Sequence, residues 1–415
     1  MKMYRFRLYP SNAQGKHLCH HLWLAKNLWK ELLEHSRETY RNFDKFPTKN
    51  AIASMTKESG LYSQVAQEIG FRVDRGIWRY VQLRKAGDKK AGFPRFKSID
   101  KMKSLHYSQF GFSPGKKLKV TPFGEIQIVR HREIKGTIKT LTLKREASGR
   151  WFACFAVEET STIKVSNGKP RIGVDLGLKT LAALSTDLKI PNPRHIRKYQ
   201  ERIAALQRES DGKKKGSKNR RKTKRRVAIE FEKLKNTRSD FLHKFSHGLV
   251  NSFSFIALEN LASQELAEQN FGKQIYDAGW GELANMLRYK AESAGCEVVF
   301  VNPKDTTKTC CICGNKTDVP LPVRTYNCQV CGNRMDRDVN AARNILKRAT
   351  AGIVESNACG DVSRKTSPKQ EAPLLFAERK RGPTRIAIRV NHLSPLRQIG
   401  PFLPEGKKKD AFRCG

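Results

Sequence analysis

Four cysteines arranged in two pairs are the most specific chemical signal in the sequence. They follow a C-x₂-C-x₁₄-C-x₂-C pattern formed by Cys310, Cys313, Cys328 and Cys331. Each pair can turn both sulfurs towards one ion, and two pairs complete the tetrahedron in which proteins hold structural Zn²⁺. Gly314 and Gly332 follow the second cysteine of each pair, where a tight turn favours a positive φ angle. The pattern predicts a zinc site; disulfides or unreactive core thiols are the alternatives, and the adjacent Cys311 could compete as a ligand.

Three acidic residues form a second chemical signal. Asp175 interrupts a short apolar segment, Glu259 ends another, and Asp338 lies in the polar segment just after the cysteines. A carboxylate in an apolar strand is costly unless it is paired or bound to a metal, although Asp175 could instead cap the turn before Gly177. The residue numbers of the three acids differ by 84 and 79, so only a fold can bring them together.

A cluster of these acids would suit two divalent cations. Oxygen ligands with open positions favour Mg²⁺ or Mn²⁺. Two such ions about 4 Å apart can activate a water and stabilise the leaving 3′-oxygen of a phosphodiester. Nearby, Asp336 is predicted to cap a helix or to lie outside the metal ligands, and Asn340 to orient a metal-bound water or the substrate. The acids therefore predict metal-dependent phosphodiester hydrolysis without a covalent nucleophile.

The charge of the chain points to nucleic acid as its partner. Among 415 residues there are 81 Lys and Arg against 39 Asp and Glu, a formal net charge of +42. Such an excess favours a polyanion, because neutralising phosphates releases counterions. No membrane association is expected, since apolar runs such as 253–258 are too short to span a bilayer and the N-terminus lacks the apolar core of a signal peptide. Cysteines concentrated in one metal motif suit a reducing cytoplasm.

Positive charge is densest at 212–226, where ten of fifteen residues are Lys or Arg. Such a run is usually a solvated, mobile segment. The alternative is an arm that follows phosphates, for which the candidate nucleic-acid contacts are Lys213, Lys214, Lys215, Arg220, Arg221, Lys222, Arg225 and Arg226.

Two sheets are needed to position these residues. Residues 4–9 and the segments between 104 and 158 alternate as short strands, which predicts a small antiparallel barrel or sandwich that the first strand joins across a helical insert. The insert is predicted to be helical at 11–33 and 49–85, with breaks at Gly60 and Gly70. Later strands at 171–184, 253–259 and 296–301 alternate with helices, and a parallel or mixed sheet would bring the acids together at neighbouring strand ends. The segment 161–170 is predicted to be a linker.

Several motifs, taken together and in order, resemble one family. They are GVDLGLK at 173–179, ALENL at 257–261, DAGWGEL at 277–283, the paired cysteines, DRDVNAARN at 336–344 and GFPRFK at 92–97. This set is similar to TnpB (OrfB-type) proteins, the transposon-encoded RNA-guided DNA endonucleases related to type V CRISPR effectors. The resemblance covers the chain from its start to about 347.

The resemblance implies a multidomain α+β and α/β architecture with an RNase H-like RuvC nuclease domain. Asp175, Glu259 and Asp338 would be its catalytic Mg²⁺ ligands, and the cysteines would bind Zn²⁺ in a ribbon inserted near the active site. The expected order begins with a wedge strand (1–10), a helical recognition domain (11–103) and a β-barrel wedge domain (104–165). The nuclease domain (166–302), the zinc-ribbon insertion (303–335) and the final nuclease helix (336–350) follow. A basic, disordered tail (351–415) ends the chain.

The function implied is cleavage of DNA that matches a transposon-derived guide RNA, next to a short flanking motif, with sequence choice delegated to base pairing. The expected partners are the guide RNA and double- and single-stranded target DNA, with one or two protein copies per RNA. The expected location is the prokaryotic cytoplasm, at the nucleoid. A DNA-strand-transfer transposase using the same acids and a non-cleaving RNA-guided repressor are the alternatives.

Overall fold

The computed structural model describes residues 1–159, 168–261, 272–320 and 322–358, with side chains described up to 351. The chain divides into two compact units, Met1–Ile353 and Val354–Gly415, and the architecture below is that of the first. The predicted linker lies largely outside the described residues, as does the predicted tail beyond 358. No helix in the described ranges is long and apolar enough to cross a membrane.

The N-terminal half contains one continuous antiparallel sheet of seven strands, in the order β2-β6-β7-β1-β5-β4-β3. Its strands are β1 (Lys2–Tyr9), β2 (Ser104–Tyr107), β3 (Phe112–Pro114), β4 (Lys117–Val120), β5 (Gly124–Val129), β6 (Thr137–Arg145) and β7 (Trp151–Glu158). The alternation of β1 buries Tyr4, Phe6 and Leu8. Because β1 pairs with both β5 and β7, the prediction that the first strand joins this sheet across the insert is confirmed.

The insert consists of α1 (Asn12–Phe43), α2 (Lys49–Met55) and α3 (Ser63–Lys85). The predicted break at Gly60 is confirmed, since this residue lies between α2 and α3 with a φ of 68°. The predicted break at Gly70 is wrong, because Gly70 lies inside α3. A Cβ atom there would lie 3.1 Å from a side-chain carbon of Thr56, so this glycine permits close packing rather than ending the helix.

The second half is built on a mixed sheet of five strands, in the order β10-β9-β8-β11-β12. These strands are β8 (Arg171–Leu176), β9 (Thr180–Leu184), β10 (Lys189–Pro191), β11 (Phe255–Glu259) and β12 (Glu297–Val301). Strand β11 runs parallel to β8 and to β12, and β9 is antiparallel to β8 and β10. The helices are α4 (Ile196–Asp211), α5 (Lys218–Ser252), α6 (Gly272–Ala278), α7 (Trp280–Ala294) and α8 (Arg337–Ala358).

Helices cover both faces of this mixed sheet. On one face, Ile172, Val174 and Ile256 belong to a core shared with α5 and α7. On the other face, Phe255 and Ala257 pack with Ile345 and Ala349 of α8. Between β12 and α8 the chain forms the cysteine-rich segment, which includes the short hairpin β13 (Thr325–Asn327) and β14 (Arg334–Asp336). Helix α8 continues to Ala358, past the predicted domain boundary at 351.

Candidate metal centres

The three predicted acids come from three elements that meet at one end of the mixed sheet. Leu258 pairs with Val174 in parallel register, so Glu259 continues β11 beside Asp175 on β8. Asp338 lies in the first turn of α8, the helix that covers this face of the sheet. Burial is the largest cause of the raised pKa of Asp175, and the charges of Glu259 and Asp338 act on the same carboxyl group and raise its pKa further. The fold therefore brings together three acids that are far apart in sequence.

Gly173 sets how closely α8 approaches the sheet. A Cβ atom at this position would lie 2.0 Å from the carbonyl oxygen of Ala342 and 2.9 Å from the Cβ atom of Leu346. Gly173 and Asp175 lie two residues apart on one strand and so face the same side of the sheet. Asp338 precedes Ala342 by about one helical turn. The glycine therefore controls the separation between the element that carries Asp175 and the one that carries Asp338.

Burial and mutual repulsion make this cluster costly when fully ionised. Burial raises the pKa of Asp175 well above its ordinary value, and the charges of Glu259, Asp338 and Asp336 raise it further. Burial also raises the pKa of Glu259, against the hydrogen bond donated by the Thr306 hydroxyl, which favours the carboxylate. A divalent cation would compensate these charges. The carboxylate donor set suits a hard cation such as Mg²⁺.

Asp336 and Asp338 have different partners. The Asp336 carboxylate accepts hydrogen bonds from the backbone N–H groups of Asp338 at 3.0 Å and Val339 at 3.2 Å, which confirms the predicted helix cap. It also forms an ion pair with Lys189. Burial works to raise the pKa of Asp336, but Lys189 and the two N–H groups outweigh it and lower the pKa. Asp338 instead lies 3.6 Å from the guanidinium group of Arg324 and remains partly exposed.

The predicted role of Asn340 at a metal-bound water or substrate is wrong. Its side chain is fully buried. Its amide oxygen accepts from the backbone N–H of Cys311 at 2.9 Å, and its amide nitrogen donates to the carbonyl of Thr309 at 2.7 Å. Asn344, which the sequence reasoning missed, donates to the carbonyl of Thr306 at 2.9 Å. Both asparagines therefore fasten the cysteine-rich segment to α8, and their spacing of four residues on one helix face is the signal that could have found them.

The four predicted cysteines form a compact cluster of free thiols. Their sulfurs all lie within 4.8 Å of one another, close enough to share one metal ion. The Cys310–Cys331 and Cys313–Cys328 sulfur pairs are 3.6 and 3.5 Å apart. A tetrahedral Zn²⁺ with bonds of about 2.3 Å requires sulfurs about 3.8 Å apart, so the cluster fits zinc. Against burial, hydrogen bonds from nearby backbone groups lower the pKa of Cys310 to about 6.

Both cysteine pairs use the same turn. Gly314 and Gly332 have φ angles of 79° and 68°, as predicted. Each glycine N–H donates to the carbonyl of the first cysteine of its pair at 3.0 Å. Cys311 does not join the cluster, because its sulfur is buried 3.4 Å from the sulfur of Met335. The predicted competition for the ion therefore does not arise in this geometry.

The basic run at 212–226 is not the mobile segment that its composition predicts. Residues from Lys218 onward form the first turns of α5, for which Ser217 provides a cap by accepting from the N–H of Arg220 at 3.1 Å. Lys and Arg are good helix formers. Carboxylates of α4 pair with three of the predicted contact residues: Glu209 with Lys213 at 2.6 Å and with Arg226 at 3.1 Å, and Asp211 with Arg220 at 3.3 Å.

The remaining contacts predicted for this run divide between structural and exposed positions. The guanidinium Nε of Arg225 donates to the carbonyl of Ser148 at 2.9 Å and links α5 to the seven-stranded sheet. The other four residues, Lys214, Lys215, Arg221 and Lys222, are exposed and form no ion pair among the described residues.

Comparison with known proteins gives the class first. Over 81% of this chain and 83% of the other, the fold is similar to that in the cryo-EM structure of the Cas12f1-sgRNA-target DNA complex, with a TM-score of 0.55 and 15% sequence identity. The fold is therefore that of the Cas12f class. Two family models match as well: "Probable transposase" (OrfB_IS605) at 154–270 and "Cas12f1-like, TNB domain" at 280–345.

Curated relatives then define the family. A putative RNA-guided DNA endonuclease of Streptomyces pristinaespiralis is 32% identical over 384 residues, covering 89% of this chain and 93% of the relative. The putative RNA-guided DNA endonuclease InsQ of Escherichia coli (strain K12) is 28% identical, with 69% of this chain and 74% of the relative covered. The chain belongs to the OrfB (TnpB-like) family, which confirms the resemblance seen in the sequence.

Proposed function

We propose that the protein is an RNA-guided DNA endonuclease whose phosphodiester hydrolysis takes place at Asp175, Glu259 and Asp338. The observation that carries this proposal is the meeting of these three acids at the junction of two parallel strands and the first turn of α8. The relatives named as RNA-guided DNA endonucleases support the reaction class. The guide would be RNA derived from the transposon, and the target would be matching DNA next to a short flanking motif.

The three acids would hold two Mg²⁺ or Mn²⁺ ions. When bound, such ions supply an activated water and stabilise the leaving 3′-oxygen. The surrounding residues fix the carboxylates in place. The Thr306 hydroxyl donates a hydrogen bond to Glu259. Asp336 caps the first turn of α8, which keeps Asp338 at the end of the mixed sheet where the other two acids lie. Arg324 lies beside Asp338 and adds positive charge where a phosphate would enter.

The other assignments follow from the same proposal. The mixed sheet with α8 corresponds to an RNase H-like RuvC domain, and the cysteine cluster holds one structural Zn²⁺ in a ribbon that helps to place the target strand. The seven-stranded sheet corresponds to the wedge domain and α1–α3 to the recognition domain. The protein would act on nucleoid DNA in a prokaryotic cytoplasm, with guide RNA and target DNA as partners and one or two copies per RNA.

One experiment separates this function from strand transfer and from repression. The protein is purified with its co-expressed RNA and mixed with supercoiled DNA carrying a guide match, in Mg²⁺ or in EDTA. We expect cleavage that requires both the guide match and Mg²⁺ and that disappears in Asp175→Ala. The matched control is Glu297→Ala, because Glu297 is exposed at the start of β12, the opposite end of the sheet, and this variant should cleave normally.

Two results would overturn the proposal. Joining of DNA ends by wild-type protein would identify a strand-transfer transposase. Guide-dependent binding of DNA without cleavage at any Mg²⁺ or Mn²⁺ concentration would identify a repressor.

A further inference from the structure

An open cleft of about 540 Å³ lies between the turn that joins β8 to β9 and the loop that joins β10 to α4. Its lining includes four cations: Lys179, Arg194, Arg197 and Lys198. Pro191 and Pro193 form part of its wall. The cleft is thus a concave surface with one sign of charge, and such surfaces concentrate anions.

One residue of the cleft, Lys179, is close in the chain to the acidic centre. Lys179 follows Asp175 by four residues, so their Cα atoms are at most about 14 Å apart. The side-chain amide of Asn192 donates to the carbonyl of Leu178 at 2.9 Å and fastens the cleft loop to the turn after β8. Any strand of nucleic acid that lies in the cleft is therefore only a few nucleotides from Asp175.

The cations of the cleft form no ion pairs with the acidic residues that the structure describes. In the described part of the molecule none of the four makes an ion pair, whereas Lys213, Arg220 and Arg226 of the basic run are paired with carboxylates of α4. A cluster of like charges without acidic partners destabilises the compact state unless a ligand neutralises it. The most basic segment of the sequence is thus partly neutralised by α4, whereas no ion pair among the described residues neutralises the four cations of the cleft.

One buried polar atom in the same cleft is without a hydrogen-bond partner among the described residues. The Nε2 atom of His195, which lines the cleft, is shielded from solvent and makes no hydrogen bond among the described residues. The His195 ring packs edge-on against Phe241, with centroids 5.6 Å apart. Burial lowers the pKa of His195, which favours the neutral imidazole. In the tautomer that carries the proton on Nε2, this atom can donate one hydrogen bond to an uncharged or anionic oxygen.

We propose that this cleft binds the sugar–phosphate backbone of the DNA strand being cut, with the four cations on consecutive phosphates next to the scissile one. Arginine matches phosphate geometry with two parallel hydrogen bonds, and lysine adds a mobile point charge. Guide RNA offers the same phosphate chemistry. DNA is favoured because Lys179 of the cleft lies within about 14 Å of Asp175, which the cut strand must reach. The inference rests on the proposed endonuclease function.

The test is a cycle that removes charge from the protein and from the DNA in turn. The protein variant carries Lys179→Gln, Arg194→Gln, Arg197→Gln and Lys198→Gln, and the DNA carries single uncharged methylphosphonates at each position flanking the cut. With wild-type protein we expect methylphosphonates at two to four adjacent positions to lower kcat/KM several-fold. With the variant, kcat/KM should already be lower and those positions should have no further effect. The maximal rate at saturating DNA should be retained.

The salt dependence gives a second readout. Each phosphate of a single strand that the variant no longer neutralises should make the slope of log affinity against log salt less steep by about 0.7, hence by about 2 to 3 for the whole cleft. The charge-matched control carries Lys214→Gln, Lys215→Gln, Arg221→Gln and Lys222→Gln in the exposed part of the basic run. This control should keep the full sensitivity to methylphosphonates beside the cut. Lys179→Arg should behave as wild type and Lys179→Gln should lose sensitivity at one position.

Three outcomes would overturn the proposal. In the first, the fold-losses in kcat/KM caused by the protein substitutions and by the methylphosphonates multiply, as independent effects would. In the second, the cleft variant cleaves with wild-type kcat/KM. In the third, the variant loses its co-purified RNA, which would assign the cleft to the guide. If wild-type protein does not cleave guide-matched DNA, the proposed function fails. The cleft proposal is then tested separately, by measuring the DNA-binding affinity of the same protein variants for the same methylphosphonate DNAs.

Discussion

Replacing Gly173 by alanine is the sharpest test of how the acidic centre is assembled. The added methyl group would lie 2.0 Å from the carbonyl oxygen of Ala342, so α8 and β8 must separate by about 1.4 Å to reach an ordinary contact of 3.4 Å. Helix α8 carries Asp338 one turn earlier. A displacement of this size in a reacting group costs on the order of 100-fold in rate. Overpacking of this kind also costs about 1–3 kcal/mol of stability.

The assay is single-turnover cleavage of guide-matched DNA, with the thermal midpoint measured in parallel. The matched control is Gly248→Ala, because Gly248 lies in α5 and an added Cβ atom meets nothing within 4 Å. We expect Gly173→Ala to lose about 100-fold in rate while RNA still co-purifies, and Gly248→Ala to cleave at the wild-type rate. Wild-type cleavage by Gly173→Ala would refute the claim that the α8–β8 distance positions the acids.

Three further changes test the two centres. Cys328→Ser should lower the zinc content below one ion per chain and reduce folding, since structural zinc contributes directly to stability. The control Cys311→Ala should keep one zinc ion per chain. One zinc ion per chain in Cys328→Ser would contradict the four-cysteine site. Asp175→Asn should raise the thermal midpoint in EDTA at pH 8, by about 2–4 °C per kcal/mol. The stability that the raised pKa of Asp175 supplies is present at low pH and is lost as pH rises through that pKa, so the gain should shrink towards pH 4; an equal gain at both pH values would count against a buried, repelled carboxyl. Asn340→Ala removes the side-chain amide that bonds the N–H of Cys311 and the carbonyl of Thr309. The loss should cost about 1–3 kcal/mol of stability per buried group, measured as a lower midpoint of chemical unfolding. An unchanged midpoint would show that these bonds do not hold the cysteine-rich segment to α8.

The candidate site residues could be picked out from the sequence because metal binding restricts residue type. Two Cys-x-x-Cys pairs leave few alternatives to zinc, and an acid within an apolar strand needs a compensating charge wherever the strand lies. The period of two in β1 also predicted a strand with one buried face. Its pairing with β5 and β7 satisfies the backbone N–H and C=O groups that a lone strand would leave unpaired.

What the sequence did not predict depends on partners that only the fold brings near. Gly70 and Gly173 are glycines because another element approaches them closely, and nothing adjacent in the sequence records that contact. The basic run forms part of a helical hairpin because Glu209 and Asp211 lie on the facing helix. Asn340 resembles a polar site residue in sequence, yet its partners are backbone groups about 30 residues earlier in the chain.

The bonds from Asn340 and Asn344 to the cysteine-rich segment have a thermodynamic consequence for the two metals. Because these bonds join the cysteine cluster to the helix that carries Asp338, order in one centre contributes to order in the other. With zinc and magnesium in the proposed centres, their binding free energies are linked, and linkage is reciprocal. If bound zinc multiplies the affinity for magnesium by some factor, bound magnesium multiplies the affinity for zinc by the same factor. The ratio of the zinc dissociation constants, measured by chelator competition at equilibrium with and without saturating Mg²⁺, would give that factor from the side of the cysteines.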